Sequence, residues 1–347
     1  MKRNLPGKQV WAHYHCWYGT PTGVNKGWRV WNHPLWDVTR ESQTIAQHNP
    51  EKIIGTENRR DIGAANYPLL EPYDSQDKEV LKQHVLWAKE GGIDGFIFDW
   101  WGPEDVTDKS MQAMLEMLKE ENIDDFHLMA LLDGPWARKD PVEKTIKHLQ
   151  YLHDTYKEEA QYLHVGEMPV ICAYACMFYN VEQWREIKES FHFLGVSFAQ
   201  TFLFKRKVWR EKTETEGRKI CLLGDSTHAL DVFDGLQTYS PGIRGETDLR
   251  RAYSSFAKAA KERDMFFALA TLPGYDDRSV RFPGSVIPRR NGEHYDMTWR
   301  VVLEQEPDWV LICSWNEWAE GSNIEPDREH GNFYLEKTVR FVQQFTK

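Results

Sequence analysis

Val310-Leu311-Ile312-Cys313-Ser314-Trp315-Asn316-Glu317-Trp318-Ala319-Glu320-Gly321 begins as an unbroken apolar run and ends in two glutamates set among tryptophans. A short apolar run without alternation reads as a strand buried on both faces, the kind found in parallel sheets covered by helices. In barrels of that kind, chemistry gathers at the carboxyl ends of the strands. The change from Cys313 to Asn316 and Glu317 marks such an end.

Seven further runs share this character: Val10 to Trp17, Gly95 to Trp100, Phe126 to Leu132, Pro169 to Tyr174, Lys219 to Leu223, Asp234 to Tyr239 and Phe266 to Thr271. With Trp309 to Trp315 they make eight candidate strands. Amphipathic stretches lie between them: Lys78 to Glu90, Met111 to Glu121, Pro141 to Tyr156, Val181 to Ser190, Leu249 to Arg263 and Tyr295 to Glu306. Leu81, Val85 and Ala88 show the helical spacing. Alternating strands and helices predict a parallel sheet with crossover helices, and eight strands of this kind favour closure. The expected fold is α/β, a single (β/α)8 TIM barrel with long substrate-facing loops and one domain spanning residues 1–347. An open doubly wound sheet is the alternative, although no GxGxxG or GxxxxGK[ST] follows any strand to give it a nucleotide site. Tyr18 to Asp77 and His192 to Arg218 are longer than an economical barrel needs. The first is rich in Trp, Pro, Asn, His and Asp, so it is expected to face substrate.

Composition narrows the function. A net charge of −10 gives no basic surface to track phosphates, and the basic stretch Lys205 to Lys219 is interrupted by Glu211, Glu214 and Glu216. Nucleic acid is not an expected partner. Five cysteines, mostly in apolar runs, imply no disulfide framework. No run has the roughly 18–20 apolar residues of a membrane span, and Met1 to Gln9 lacks the apolar segment of a signal peptide. A soluble protein is expected, cytoplasmic or with its signal removed. Fifteen tryptophans beside 14 tyrosines and 17 phenylalanines exceed the needs of a core. Several (Trp28, Trp31, Trp36, Trp100, Trp101, Trp136) stand in polar or Gly- and Pro-containing segments, where flat aromatic faces suit sugar rings.

The strand ends supply the candidate site: Tyr14, Trp17 and Tyr18 after strand one, Asp99, Trp100 and Trp101 at strand two, Asp133 at strand three, Tyr239 at strand six, and Asn316, Glu317 and Glu320 at strand eight. In a turn, carboxylates at i and i+3 lie roughly 5–6 Å apart. That is near the roughly 5–5.5 Å of retaining glycosidases, and two like charges so close raise one pKa and supply a proton donor. His13 and His15 share a face of strand one and, with Asp99 or Asp133, suggest a metal site; against it, no HExxH or zinc-like CxxC occurs. No metal or other cofactor is expected. Cys172 and Cys176 read as core, no GxSxG elbow is present, and Glu325 and Asp327 read as residues that hold their loop.

Segments in order along the chain resemble glycoside hydrolase family 99, the endo-α-mannosidases, and its relatives in bacterial polysaccharide gene clusters. They are His13-Tyr14-His15-Cys16-Trp17-Tyr18-Gly19, Trp31-Asn32-His33-Pro34, Asp61-Ile62-Gly63 through Tyr67-Pro68, Glu71-Pro72-Tyr73-Asp74-Ser75, Phe98-Asp99-Trp100-Trp101-Gly102-Pro103, Phe233-Asp234-Gly235, Arg289-Arg290-Asn291-Gly292, and Trp315 to Pro326. The resemblance implies a retaining, endo-acting α-glycosidase of the endo-α-1,2-mannosidase or mannanase type, acting on an oligo- or polysaccharide. It implies that Glu317 deprotonates the sugar 2-hydroxyl to give a 1,2-anhydro intermediate while Glu320 acts as general acid and then base. It places Tyr239, Tyr14 and His33 beside the cleaved bond, makes Trp100 a sugar platform and adds Arg289 to the substrate-binding candidates. Asp99 stands where the family usually has Ser, and Ala319 where it usually has His, which leaves sugar and linkage open. The competing expectations are a family-99-like glycosidase for another bacterial polysaccharide, a non-catalytic carbohydrate-binding protein, and a metal-dependent hydrolase built on His13 and His15.

Overall fold

The computed structural model describes residues 7–55, 57–133, 141–190, 220–242 and 245–347. Eight parallel strands form its centre: β1 (Gln9–Tyr14), β2 (Gly95–Trp100), β3 (His127–Leu132), β4 (Met168–Ala173), β5 (Cys221–Gly224), β6 (Gly235–Gln237), β7 (Phe266–Thr271) and β8 (Trp309–Ile312). Each pairs with the next. The ring closes where β8 meets β1 in the register Gln9↔Trp309 to Ala12↔Ile312. Closure settles the architecture as a barrel. All eight expected strands form; the predicted connection from His192 to Arg218, Trp136 and the basic stretch to Lys219 lie outside the described residues.

Among the described residues seven helices accompany the strands: α1 (Lys78–Glu90), α2 (Val106–Glu120), α3 (Val142–Tyr156), α4 (Val181–Ser190), α5 (Glu246–Lys261), α6 (Glu293–Glu304) and α7 (Phe333–Phe345). The spacing of apolar residues decides their inner faces: Leu81, Val85 and Ala88 of α1 are fully buried. The first two start at side-chain caps. Asp77 accepts the N–H groups of Glu79 and Val80 ahead of α1, and Asp105 accepts that of Thr107 ahead of α2. Helix α7 is absent from the sequence reading; its Phe341 stacks on Trp299 of α6 with ring centroids 5.2 Å apart.

Strand alternation divides the side chains between lumen and helix layer. In β1, Val10, Ala12 and Tyr14 point one way, and Trp11 and His13 the other, followed by His15. Tyr14 stacks on Phe98 and reaches His84 of α1 through its hydroxyl at 2.9 Å, so its face is the outer one. Trp11 packs against Trp309 and over Gly95, where an added Cβ would come 2.1 Å from His127 O and 2.4 Å from the Trp11 ring. Only glycine fits where that indole fills the barrel.

The described part of the first long connection builds a small sheet. Pro34–Asp37 pairs antiparallel with Gln43–Gln47 and parallel with Arg281–Phe282, so segments following β1 and β7 share one small sheet. Beneath it Tyr18, Trp31, Ile62, Tyr67, Tyr73 and Trp318 form a second buried cluster, separate from the main core. Among the described residues no helix is long and apolar enough to cross a membrane.

Candidate active site

After β8 the chain turns sharply. Residues 318–321 form a turn closed by the Gly321 N–H on Trp318 O at 3.3 Å, and Ser314 Oγ accepts the Glu317 N–H at 2.8 Å. Gly321 has φ +58°, and an added Cβ would meet Ala65 Cβ at 2.8 Å. The turn is pinned from behind. Tyr18 donates its hydroxyl to Asn316 O at 3.0 Å, and Trp318 Nε1 donates to the Tyr73 hydroxyl at 3.0 Å. Tyr73 donates in turn to Glu325 at 2.7 Å.

Asn316 joins this turn to β1. Its Oδ1 accepts the His15 N–H at 2.7 Å and its Nδ2 donates to His15 O at 2.9 Å. His15 and Glu317 are thereby held in fixed register, with His15 Nε2 3.3 Å from Glu317 Oε2 and 3.1 Å from the Tyr239 hydroxyl. Asp99 Oδ2 lies 3.9 Å from the same nitrogen and its Oδ1 accepts from Trp101 Nε1 at 3.1 Å. Trp17 closes the far side, with its ring centroid 4.9 Å from both the His15 and the Trp101 rings.

The two glutamates differ in setting. Glu317 is buried, and burial first, then the neighbouring Glu320 charge, push its carboxyl well above the usual range despite Arg281 and two backbone N–H groups. Glu320 is more open, and its Oε1 lies 2.8 Å from Arg281, which also binds Asp277 and the Tyr275 hydroxyl at 2.9 Å each. Burial, then Cys313 and the carboxylates around it, hold the Tyr239 hydroxyl far above its usual range, so it stays neutral. Tyr174, ring to ring with Tyr239 at 4.8 Å, is pushed up to about 12 by burial and then by Asp133.

Native Glu317 binds its proton more tightly than the unfolded chain does. Its contribution to stability is therefore lost as pH rises from the unfolded carboxylate value, about 4.3, towards its raised native one. Glu317→Gln removes the penalty and is expected to stabilise the fold by on the order of 1 kcal/mol at neutral pH. Thermal unfolding at about pH 4 and about pH 8 measures it; a lower midpoint than wild type at the higher pH contradicts the burial argument.

Several expected site residues lie elsewhere. Tyr14 is fully buried against α1, and Trp100 is fully buried with its Nε1 on Asp108 at 2.9 Å and its ring against His148 and Tyr151. Neither faces the lumen, because strand alternation gives that face to their neighbours His15 and Asp99. Asn316 is buried and spends its amide on the scaffold. Arg289 does likewise, donating to Gly321 O at 3.0 Å and Asn323 O at 2.7 Å while lying over the Tyr334 ring. His33 sits edge-on to Trp36, its pKa lowered chiefly by burial and also by Arg281. Asp133 stands at the end of β3, where its N–H donates to Trp100 O at 3.2 Å. His15, Tyr174 and Arg281, which touch Glu317, Tyr239 and Glu320, were not read as substrate-binding candidates. The first two follow strand ends and were open to the same reasoning as Tyr239; Arg281 comes from a distant connection and carries no local signal.

Glu325 holds its loop, as its place in the sequence suggested: Tyr73 donates to Oε2, and His84 Nε2 lies 3.1 Å from Oε1, off-line for a hydrogen bond. None of the five cysteines forms a disulfide among the described residues, and all are buried. Among the described residues no group of three or more His, Cys, Asp or Glu side chains is disposed to hold a metal ion. A cavity of about 620 Å³, lined by Glu246, Ile287, Pro288, Arg290, His294 and Arg300 among others, contains none of the strand-end residues.

Known proteins carry the same framework. The family profile described as Glycosyl hydrolase family 99 matches residues 7–345. The Glycoprotein endo-alpha-1,2-mannosidase-like protein of Mus musculus is 27% identical over 375 aligned residues, covering 97% of this chain and 76% of the relative. The Glycoprotein endo-alpha-1,2-mannosidase of Rattus norvegicus is 26% identical over 349, covering 94% and 70%. In fold, the GH99 endo-alpha-mannosidase of Bacteroides thetaiotaomicron superposes with a TM-score of 0.75 at 20% identity over 97% of each chain. A carboxylate pair on the turn after the eighth strand, inside a profile spanning nearly every residue, leads to one assignment: the chain belongs to glycosyl hydrolase family 99, a family of glycoside hydrolases.

Proposed function

We propose that the protein cleaves internal α-mannosidic bonds of an oligo- or polysaccharide with retention of configuration, using the substrate's own 2-hydroxyl. The observation that carries this reading is the unequal carboxylate pair: Glu317 buried among His15, Tyr239 and backbone donors, Glu320 more open beside Arg281. Glu317 takes the proton from O2 as O2 bonds to C1. The C1–O bond to the leaving sugar breaks, and Glu320 protonates that oxygen. Water then opens the 1,2-anhydro ring: Glu320 takes its proton and Glu317 returns one to O2. Across the pair the cycle needs one carboxylic acid and one carboxylate; burial and the Glu320 charge disfavour ionisation of Glu317, so the proton the pair holds has to sit on Glu320 when the 2-hydroxyl is deprotonated. The endo-α-mannosidase names of the relatives support the sugar and the internal cut.

The test is a screen of α-mannans and other α-linked bacterial polysaccharides for new reducing ends, with the first-formed anomer followed by NMR. An α-configured first product is expected; a β-configured one overturns the neighbouring-group route. Release of monosaccharide alone would remove the internal cut from the reading.

A further inference from the structure

We propose that His15 is a positioning residue whose Nε2–H edge keeps the Glu317 carboxylate available as a base and orients the Tyr239 hydroxyl; this rests on the function proposed above. The geometry begins with the clip: Asn316 holds both backbone groups of His15, so the imidazole cannot drift from the turn that follows. Trp17 packs against its ring. One nitrogen, Nε2, then faces Tyr239 at 3.1 Å, Glu317 at 3.3 Å and Asp99 at 3.9 Å, while Nδ1 is buried with no hydrogen-bond partner among the described residues.

The tautomer follows from charge. Burial, then neighbouring His13, lower the His15 pKa well below the usual value, so the ring is neutral and carries one proton. With Glu317 ionised, as the proposed reaction requires, a bare lone pair on Nε2 would face two carboxylates; an N–H there faces them with the positive end of its dipole. The proton therefore belongs on Nε2. Tyr239 is aligned to accept it, and Glu317 sits at contact distance off that axis, where the dipole still favours the anion.

This answers a need of the reaction. Burial and Glu320 both resist ionisation of Glu317, yet Glu317 must be charged to take the 2-hydroxyl proton. The groups facing it are His15 from β1, Tyr239 after β6, Tyr18 from the first connection, Arg281 from the segment after β7, and Cys313 and Glu320 of its own segment, with Asp99 of β2 beyond the imidazole. Of these, Arg281 favours the anion but is shared with Glu320 and Asp277, the backbone N–H groups of Ala319 and Glu320 donate to the Glu317 carboxylate, and His15 adds a ring N–H at contact distance of Glu317 Oε2.

The experiment compares wild type with His15→Phe and His15→Met, which have no donor, and His15→Gln, whose amide N–H reaches the Nε2 position. Infrared difference titration, with the Glu317→Gln spectrum in each background subtracted, reads Glu317 without substrate; the pH profile of kcat/KM reads it in turnover. Without the donor the titration midpoint and the acid limb are expected to rise by about one pH unit, lowering kcat/KM on the acid side about tenfold. His15→Gln is expected to stay close to the wild-type midpoint. No shift in His15→Phe or His15→Met overturns the proposal, as does an equal shift in His15→Gln, which would assign the effect to packing. If the midpoints separate as expected but wild type cleaves no α-mannoside, the proposed function falls while the role of His15 stands.

Discussion

Glu320→Gln is expected to lower kcat about 10²–10⁴-fold and to leave sugar binding nearly intact. Gln has the shape of Glu and can keep an oxygen on Arg281, which lies 2.8 Å from Glu320 Oε1. What it lacks is the proton that the leaving oxygen needs and, in the second step, the base that activates water. A substrate whose leaving group departs as a stable anion should recover in the first step, since protonation no longer limits bond breaking; an initial burst followed by slow turnover is then expected. Steady-state kinetics on the natural and activated substrates, with calorimetric binding, separate these effects. Full kcat in the variant ends the acid–base assignment of Glu320, and loss of binding with kcat preserved would assign it to substrate recognition.

Glu325→Ala is expected to cost about 2–3 kcal/mol of stability, the upper part of the range for a buried hydroxyl left without its partner. Glu325 is buried with His84 Nε2 at 3.1 Å and the Tyr73 hydroxyl at 2.7 Å, and Tyr73 also receives Trp318 Nε1 and Asn316 Nδ2. Removing the carboxylate leaves the buried Tyr73 hydroxyl without its acceptor and takes away the charge facing His84 Nε2, and it loosens the support on which the turn from Asn316 to Gly321 rests. Tyr73→Phe keeps the carboxylate and should cost only about 1 kcal/mol. Urea unfolding of the two variants measures the difference. Equal midpoints would mean that the buried carboxylate contributes nothing beyond its bond to Tyr73.

The barrel was legible because parallel strands covered on both faces must be apolar throughout, as in Phe266–Thr271 and Trp309–Ile312, and no other force writes that pattern eight times between helical periods. The turn with Glu317 and Glu320 was legible for the complementary reason: polar groups cluster where a buried strand ends. The errors in the site came from collecting residues near strand ends without carrying the two-residue alternation through. Once His13 and His15 are placed on one face of β1, Tyr14 must take the other, and Asp99 excludes Trp100 in the same way. His15 was on the right face but was weighed only as a metal ligand. Arg281 was hidden because its position depends on pairing Arg281–Phe282 with Trp36–Asp37, a contact between distant connections that leaves no trace in local periodicity.

The Asn316 clip ties residues 301 positions apart, His15 after the first strand and Asn316 after the last. During synthesis the ribosome delivers one side of the site almost a whole barrel before the other. A nascent chain short of β8 thus has no carboxylate pair and no anchor for His15, whatever part of the sheet has already paired. On the function proposed above, turnover needs that final seam, so its recovery in a refolding experiment would report ring closure rather than the earlier gain of helix and strand.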